Sequence, residues 1–261
     1  MSVSPLLDRR EFLVGVTAYA FTPIACRRSA ALTSDASGSE GGLGTTRGSN
    51  AACSEGHLRT TNAAGRSGAY YACDDHGGPR PLLVFTHGTG GSGAAGVATL
   101  RGAAEVHRFH VVAPDSRISP QGQATWEVGD HPNEVTPDFT HVLACIDEFL
   151  AVRGVLVDRT RVLIAGHSGG ASMAPYIATN DERFSAFAIL HGGVFIEGLG
   201  SHVVRGWIST GEADSMRSPA EIEGHASALR AAGYDVTKTI IPGDHAVSAT
   251  EVDALLAWWL G

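Results

Sequence analysis

Three features that mark common function classes are missing from this 261-residue sequence. The N-terminal apolar stretch from Phe12 to Ala25 is too short and too polar for a membrane-spanning helix, which needs about 20 apolar residues. No stripe of lysine and arginine interleaves with aromatic residues, and the formal charge is -8, so nucleic acid is not expected as a partner. No cysteine pair has zinc-type spacing, and His107, His110 and His131 do not fall at ligand spacing, so we predict no metal and no cofactor.

The first 52 residues predict an export segment and a linker. Residues 1–26 begin with a charged region, and the paired arginines of LDRREFLVG resemble the twin-arginine class of export signals, with Asp8 in place of its usual serine or threonine. TPIAC, which ends at Cys26, resembles a bacterial lipoprotein box, so we expect lipid at Cys26 and attachment to a membrane through it. Soluble secretion after cleavage nearby is the alternative. Residues 27–52 are small and polar and predict a flexible linker. The expected location is therefore the bacterial periplasm, the cell surface or the medium.

Residues 53–261 have the pattern of one α/β domain. Short runs rich in β-branched residues predict strands at His57–Thr61, Ala69–Cys73, Pro81–Thr86, Phe109–Ala113, Arg161–Ala165, Ala186–Leu190, Val203–Ser209 and Asp235–Ile241. Helices are expected at 138–154, Ser168–Asn180, Pro219–Ala232 and Val247–Leu260. A leading hairpin followed by alternating strands and helices predicts a mostly parallel eight-stranded sheet with helices on both faces. Ligands of such sheets bind at the carboxyl ends of the strands.

The stretch LIAGHSGGASM puts a serine between glycines where a predicted strand meets a predicted helix. Gly166-His167-Ser168-Gly169-Gly170 fits the G-x-S-x-G nucleophile elbow, whose sharp turn exposes the serine hydroxyl. The turn forces the serine backbone into an unfavourable conformation, and side chains at Gly166 or Gly170 would collide with the neighbouring strand or helix. A bland structural turn is the alternative, but the strand before it and the helix after it favour a nucleophile.

A serine hydroxyl becomes a good nucleophile when a base takes its proton and an acid orients that base. His245 follows the last predicted strand and a Pro-Gly turn, and this position at a strand's carboxyl end indicates the base. Three carboxylates compete for the role of the acid. We favour Asp214, which lies three residues after a turn glycine and before a helix that starts with proline. Glu212 is expected to face solvent, and Asp244 is expected to belong to the histidine loop.

The segment PLLVFTHGTGG predicts a glycine-rich turn at the end of another buried strand. The backbone amides of Thr89 and Gly169 are predicted to form an oxyanion hole, with His87 and His167 as hydrogen-bonding scaffold beside them. A phosphate-binding loop is the alternative, but the segment has neither G-K-[ST] nor G-x-G-x-x-G. Trp126, in the loop after the strand at Phe109–Ala113, is a candidate for contact with substrate, and plain packing is its alternative.

Together these residues resemble the α/β-hydrolases, and among them the esterases grouped with polyhydroxybutyrate depolymerases and feruloyl or acetylxylan esterases. The resemblance rests on LLVFTHGTGG, VVAPDS, VDRTRVLIAGHSGGASMAPYIA, STGEADS and GDH. It implies a serine esterase that cleaves small or polymeric carboxylic esters through an acyl-enzyme. Because the segment HGGVFIEGLGSH is short, no large lid is expected. Two alternatives stay open: a serine peptidase of the prolyl-oligopeptidase type, which usually carries a propeller domain, and a non-catalytic binding lipoprotein on the same fold.

The cysteines give a further expectation about the leading hairpin. Cys53 and Cys73 flank its predicted turn, NAAGR, and the midpoint between them falls inside that turn. Because antiparallel partners keep a constant index sum, the two cysteines are expected to lie opposite each other and to form a disulfide in an oxidising compartment. Two reduced cysteines in a loose segment are the alternative. Cys145 lies on the apolar face of the helix predicted at 138–154, which indicates a buried free thiol.

Overall fold

The computed structural model describes residues 53–59, 66–74 and 77–261, and the structural statements below concern these residues. The export signal, the lipid site at Cys26 and the linker at 27–52 lie outside the described residues and stay predictions. None of the helices within the described ranges has the length and apolar character that crossing a membrane requires.

Eight of the ten strands in the described ranges form one sheet, and the predicted architecture is confirmed. The strands are β1 (Cys53–Arg59), β2 (Ser67–Cys73), β3 (Arg80–Thr86), β4 (His110–Pro114), β5 (Arg117–Ile118), β6 (Ala124–Thr125), β7 (Val157–His167), β8 (Ala186–Leu190), β9 (Arg205–Gly211) and β10 (Val236–Ile241). The main sheet has the order β1-β2-β4-β3-β7-β8-β9-β10, and β5 pairs with β6 in a small separate hairpin. Strand β2 is antiparallel to β1 and to β4, and the remaining neighbours in the main sheet are parallel. Each of the eight predicted strand regions therefore overlaps a strand of the main sheet, and Thr60 and Thr61 of the first region lie outside the described residues.

Helices cover both faces of the sheet. They are α1 (Gly93–His107), α2 (Pro137–Arg153), α3 (Met173–Asn180), α4 (Pro219–Ala231) and α5 (Ala249–Leu260). Apolar side chains of α2, α3 and α4 pack with one face of the sheet into one core cluster. Those of α1 and α5 pack with the opposite face into a second cluster. Burial of apolar surface in these two layers is the main force that stabilises such a fold.

Two details of the helices differ from the sequence prediction. Helix α1 was not predicted, because GAAGVATLRGAAEVH is rich in glycine and alanine, whose small side chains give a weak apolar pattern. Small residues are needed there: a Cβ on Gly93 would lie 2.0 Å from the carbonyl oxygen of Ala113. The helix predicted from Ser168 begins later. Ser168–Gly170 form a 3₁₀ turn and α3 starts at Met173, because the positive φ of 49° at Ser168 lies outside the α-helical region.

The cysteines of the N-terminal hairpin lie opposite each other, as the index argument predicts. Cys53 pairs directly with Cys73 in the β1–β2 register, and a disulfide bond joins them. The remaining cysteine within the described ranges, Cys145, is a buried free thiol on α2, as expected. Burial raises the pKa of this thiol to about 12, so it stays protonated and unreactive at neutral pH.

Candidate active site

Loops that follow four parallel strands meet at the carboxyl edge of the main sheet. Ser168 directly follows β7, and Thr89 lies in the turn after β3. Asp214 follows β9 and His245 follows β10. The site expected from the sequence therefore lies where parallel α/β sheets usually bind ligands.

The turn that carries Ser168 is strained and tightly packed. Ser168 has a φ of 49°, a left-handed conformation that is uncommon for residues other than glycine. A Cβ on Gly166 would lie 2.2 Å from the carbonyl oxygen of Gly170, and a Cβ on Gly170 would lie 2.4 Å from that of Thr86. Both glycines are therefore required for the turn that raises the serine hydroxyl above the sheet edge.

A chain of hydrogen bonds joins Ser168, His245 and Asp214. The Nε2 atom of His245 lies 2.8 Å from the Oγ of Ser168. Its Nδ1 atom lies 2.9 Å and 3.1 Å from the two carboxylate oxygens of Asp214. In the neutral form of His245, Nδ1–H donates to Asp214 and Nε2 accepts from the serine hydroxyl. This is the arrangement that a serine nucleophile requires from its base.

Among the candidate carboxylates, Asp214 is the one that surrounding hydrogen-bond donors fix beside His245. Its side chain is buried, Oδ1 accepts the backbone N–H groups of Met216 and Arg217 at 2.8 Å each, and Oδ2 accepts the hydroxyl of Thr210 at 2.9 Å. Burial alone would raise the pKa of Asp214, but hydrogen bonds from two histidines and two backbone amides hold that pKa well below its usual range. The competing carboxylates differ, because both Glu212 and Asp244 are exposed.

Thr89 and Gly169 lie against each other beside the serine. A Cβ on Gly169 would lie 2.2 Å from the Oγ1 of Thr89 and 3.1 Å from its backbone nitrogen. The turn that carries Thr89 is closed by a hydrogen bond from the N–H of Gly91 to the carbonyl of Gly88 at 2.9 Å. The two amides assigned to the oxyanion hole are therefore close neighbours. A side chain at position 169 would force the Thr89 turn to move.

Trp126 and His87 lie beneath the Thr89 turn. The indole N–H of Trp126 donates to the carbonyl of His87 at 2.8 Å, and the indole is 9% exposed. The backbone N–H of Ser116 donates to Nε2 of His87 at 3.1 Å, and Nδ1–H of His87 donates to the carbonyl of Gly88 at 2.8 Å. Both side chains thus support the backbone of the turn. The contact of Trp126 with substrate stays a prediction.

Two buried groups that the sequence analysis did not single out extend the site into the core. His191, the first residue after β8, places Nδ1 2.8 Å from Oδ2 of Asp214 and Nε2 3.0 Å from Oε2 of Glu251. Glu251 lies in the first turn of α5, and its Oε1 accepts the hydroxyl of Ser209 at 2.6 Å. The position of His191 at a carboxyl strand end was the available signal. Glu251 gave only a local signal, the S-x-x-E pattern of a helix start with Ser248.

The side chain of His167, in the elbow itself, makes a hydrogen bond to the backbone of the histidine loop. Its Nε2–H donates to the carbonyl oxygen of His245 at 2.9 Å, which ties the nucleophile turn to the histidine loop. Burial lowers the pKa of His167 to about 4, so its ring is neutral at physiological pH. This contact agrees with the scaffold role expected for it.

Within the described part of the chain, His191, Asp214 and His245 bring their ligand atoms within 4.8 Å of one another, as a metal site would. Each of these atoms already takes part in a hydrogen bond between the histidines and the carboxylate. Hydrogen bonding accounts for the spacing, so we assign no metal to the cluster.

Neither a protein-family profile nor a curated protein matches this sequence. Solved structures match it in fold. S-formylglutathione hydrolase from Staphylococcus aureus matches with a TM-score of 0.63 and 14% identity over 80% of this chain and 100% of that chain. A Bacillus cereus carboxylesterase matches with a TM-score of 0.53 and 18% identity, over 81% of this chain and 95% of that one. Acylaminoacyl peptidase from Pyrococcus horikoshii matches with a TM-score of 0.57 and 18% identity, over 74% of this chain and 38% of the peptidase. The chain therefore has the α/β-hydrolase fold.

Proposed function

We propose that this protein is a serine hydrolase that cleaves carboxylic esters. The observation that carries the proposal is the hydrogen-bonded chain from Ser168 through His245 to Asp214, with 2.8 Å between Oγ and Nε2 and 2.9 Å between Nδ1 and Oδ2. These three residues lie on loops of a fold shared with esterases. Fold alone does not fix chemistry, so the geometry of these side chains supports the proposal.

The reaction has two halves. In the first, Oγ of Ser168 attacks the ester carbonyl while Nε2 of His245 takes the hydroxyl proton, and His245 then gives that proton to the leaving alcohol. In the second, water attacks the acyl-enzyme while His245 takes a proton from it, and the carboxylic acid leaves as Ser168 regains its proton. Asp214 stabilises the imidazolium formed in each half. The amides of Gly169 and Thr89 bind the oxyanion, and each such donor is typically worth about 3 kcal/mol of barrier.

An open site supports short or polymer-bound acyl groups as substrates. The segment between β8 and β9 holds only a short 3₁₀ turn at Ile196–Gly198, which is too small to cover the site. The side chain of His245 is 22% exposed, so the reacting groups are reached from solvent. Acetyl, feruloyl and hydroxyalkanoate esters fit these conditions and the resemblance of the sequence motifs. Long-chain triglycerides do not, because a lidless open site offers little apolar surface to bury a long chain.

The proposal includes export from the cytoplasm and lipid attachment at Cys26. The charged start, the apolar stretch and TPIAC support it, as does the disulfide between Cys53 and Cys73, since such bonds persist in oxidising compartments. Radiolabelled palmitate in a bacterial host tests this part. We expect label on the wild-type chain and none on Cys26→Ala, whereas equal labelling of both would refute lipidation at this residue.

A fluorophosphonate probe followed by an ester panel tests the chemistry. We expect covalent labelling of the wild-type protein at Ser168 and no labelling of Ser168→Ala. The panel compares nitrophenyl esters of increasing chain length, methyl ferulate, acetylated xylan, hydroxybutyrate oligomers and a peptide nitroanilide. We expect activity on short acyl esters that falls with chain length.

Each alternative has its own outcome in the same experiment. Absence of labelling would indicate a binding protein on this fold. Faster cleavage of the nitroanilide than of every ester would indicate a peptidase, a candidate raised by the match to acylaminoacyl peptidase. Equal hydrolysis of long-chain triglyceride would contradict the proposed substrate class.

A further inference from the structure

His191 and Glu251 form a second, wholly buried pair behind the proposed triad. Both side chains are 0% exposed, and neither belongs to the nucleophile, its base or its acid. Burying an ionisable group costs free energy unless it is paired, so a fully buried carboxylate and histidine require an explanation. His191 lies 2.8 Å from Oδ2 of Asp214, the same oxygen that lies 2.9 Å from Nδ1 of His245, and this position indicates an action through Asp214.

The two hydrogen-bond partners of the His191 ring indicate its protonation state. A carboxylate oxygen accepts hydrogen bonds and does not donate them, and both ring nitrogens of His191 lie within 3.0 Å of carboxylate oxygens, one on Asp214 and one on Glu251. With both carboxylates ionised, each ring nitrogen must carry a hydrogen, so the ring is an imidazolium. The hydroxyl of Ser209 occupies the other oxygen of Glu251 at 2.6 Å and satisfies it as an acceptor.

We propose that His191, held as an imidazolium between Asp214 and Glu251, is a positioning residue that fixes the Asp214 carboxylate and places a buried positive charge beside His245. This inference rests on the proposed esterase function. The His191 and His245 rings are 5.6 Å apart between centroids, so a positive charge on one disfavours a positive charge on the other. His245 must be neutral to accept the serine proton. Removing the cation should therefore change the pH dependence of activity.

The other groups around His191 are consistent with this charge state. From β7, the ring of His167 lies 5.6 Å away and is neutral, since burial lowers its pKa to about 4. From the loop after β9 comes Asp214, and from α5 comes Glu251. Burial would lower the pKa of His191, but its hydrogen bonds to Glu251 and Asp214 and their charges outweigh burial and raise it.

Nuclear magnetic resonance on the full-length protein tests the charge state directly. We expect the ¹⁵N shifts of both His191 ring nitrogens to be those of a protonated imidazole from pH 5.5 to 8.5, with His191→Asn used to assign the signal. A single protonated ring nitrogen at pH 7 would overturn the proposal, because Glu251 would then carry the proton. This readout does not depend on any substrate, so its failure is distinct from failure of the esterase assignment.

The pH dependence of Ser168 labelling by the fluorophosphonate probe tests the consequence. His191→Asn removes the cation and leaves the Glu251 carboxylate, which stabilises protonated His245, so the acid-side midpoint of the labelling rate should rise. Glu251→Gln removes the carboxylate together with the proton that it holds on His191, so the net charge does not change and the rise should be smaller. For His191→Asn we expect a rise of about one to two pH units, the effect of a unit charge at this separation with an effective dielectric constant of about 20 to 40. The double variant should shift like Glu251→Gln, because the imidazolium and the carboxylate charge are both lost in each of these two variants.

His167→Asn is the matched control. Its ring is buried and lies 5.4 Å from that of His245, much as His191 does, but it is neutral. We expect its loss to lower the labelling rate through the lost backbone contact without moving the midpoint. If both His191→Asn and Glu251→Gln kept the wild-type midpoint, or if His167→Asn moved it equally, the pair would have only a structural role.

Discussion

Replacing Asp214 by asparagine tests the proposed triad most sharply, because the change keeps the shape of the side chain and alters its hydrogen bonds. On the Oδ1 side, the carboxylate faces the backbone N–H groups of Met216 and Arg217. Backbone donors cannot turn away, so the new amide oxygen must occupy that side. The NH₂ group then lies where Oδ2 now accepts from His245 and His191.

The NH₂ group faces Nδ1 of His245 at the shorter contact, 2.9 Å against 3.1 Å for the side of the amide oxygen, and so favours the opposite tautomer of that ring. The hydrogen then sits on Nε2, which lies 2.8 Å from Oγ of Ser168 and can no longer accept the serine proton. The same change in a serine protease, a known system, lowers kcat about 10⁴-fold, which corresponds to about 5 kcal/mol of barrier. We expect a loss of that size for Asp214→Asn.

Hydrolysis of a short-chain nitrophenyl ester measures this loss, and thermal unfolding by circular dichroism verifies that the variant is folded. Glu212→Gln and Asp244→Asn serve as controls, because both carboxylates are exposed, and we expect each control to keep activity within about twofold. Asp214→Asn with more than a tenth of wild-type activity, or a large loss in either control, would show that the acid is assigned to the wrong residue.

Two further predictions concern stability. Gly224→Ala should raise the free energy of unfolding by about 1 kcal/mol, because Gly224 is exposed inside α4 and a Cβ there would meet nothing within 4 Å. Urea unfolding measures this free energy, and a decrease would contradict the steric argument. The double substitution of Cys53→Ser and Cys73→Ser should lower the free energy of unfolding by about 3 kcal/mol in the chain-entropy model, given the sequence separation of 20 residues. Peptide mapping of the non-reduced wild type should find the cross-linked pair, and free alkylation of both thiols would refute the bond.

The parts of the fold that were predictable from the sequence are those fixed by local sterics. Short β-branched runs gave all eight strands of the main sheet, since such residues favour the extended backbone wherever they occur. The glycines at 166 and 170 indicated the elbow, because within this short turn a Cβ on Gly166 would lie 2.2 Å from the carbonyl oxygen of Gly170. Local rules of this kind apply before the tertiary structure is known.

Helix α1 illustrates the opposite case. Its sequence contains three glycines, a composition that lowers helix propensity, and its apolar residues are mostly alanine. Tertiary contact reverses the penalty: Gly93 and Gly96 let the helix approach β4 and the Phe85 ring, where a Cβ would lie 2.0 Å and 2.7 Å from its neighbours. A sequence window contains no information about that approach, so propensity and periodicity both failed there.

The contact between His191 and Glu251 could not be predicted from the sequence, for a related reason. These residues are far apart in the chain. They meet only because β8 ends, and α5 begins, at the same edge of the sheet. Each also has an ordinary local interpretation, a histidine after a strand and a glutamate in a helix N-terminal turn. Their role as a pair depends on Asp214, because the His191 ring contacts Asp214 through one nitrogen and Glu251 through the other.

The charge of the whole cluster links this buried pair to the reaction. With Asp214 and Glu251 ionised, His191 protonated and His245 neutral, the resting cluster carries one net negative charge. When His245 takes the serine proton the cluster becomes neutral, while the new negative charge lies on the substrate oxygen near the amides of Thr89 and Gly169. Without the proton on His191 the resting cluster would carry two buried negative charges, a state that the low dielectric of the interior strongly disfavours. Glu251 holds that proton in place, so a carboxylate in α5 supports the charge balance of a serine at the end of β7.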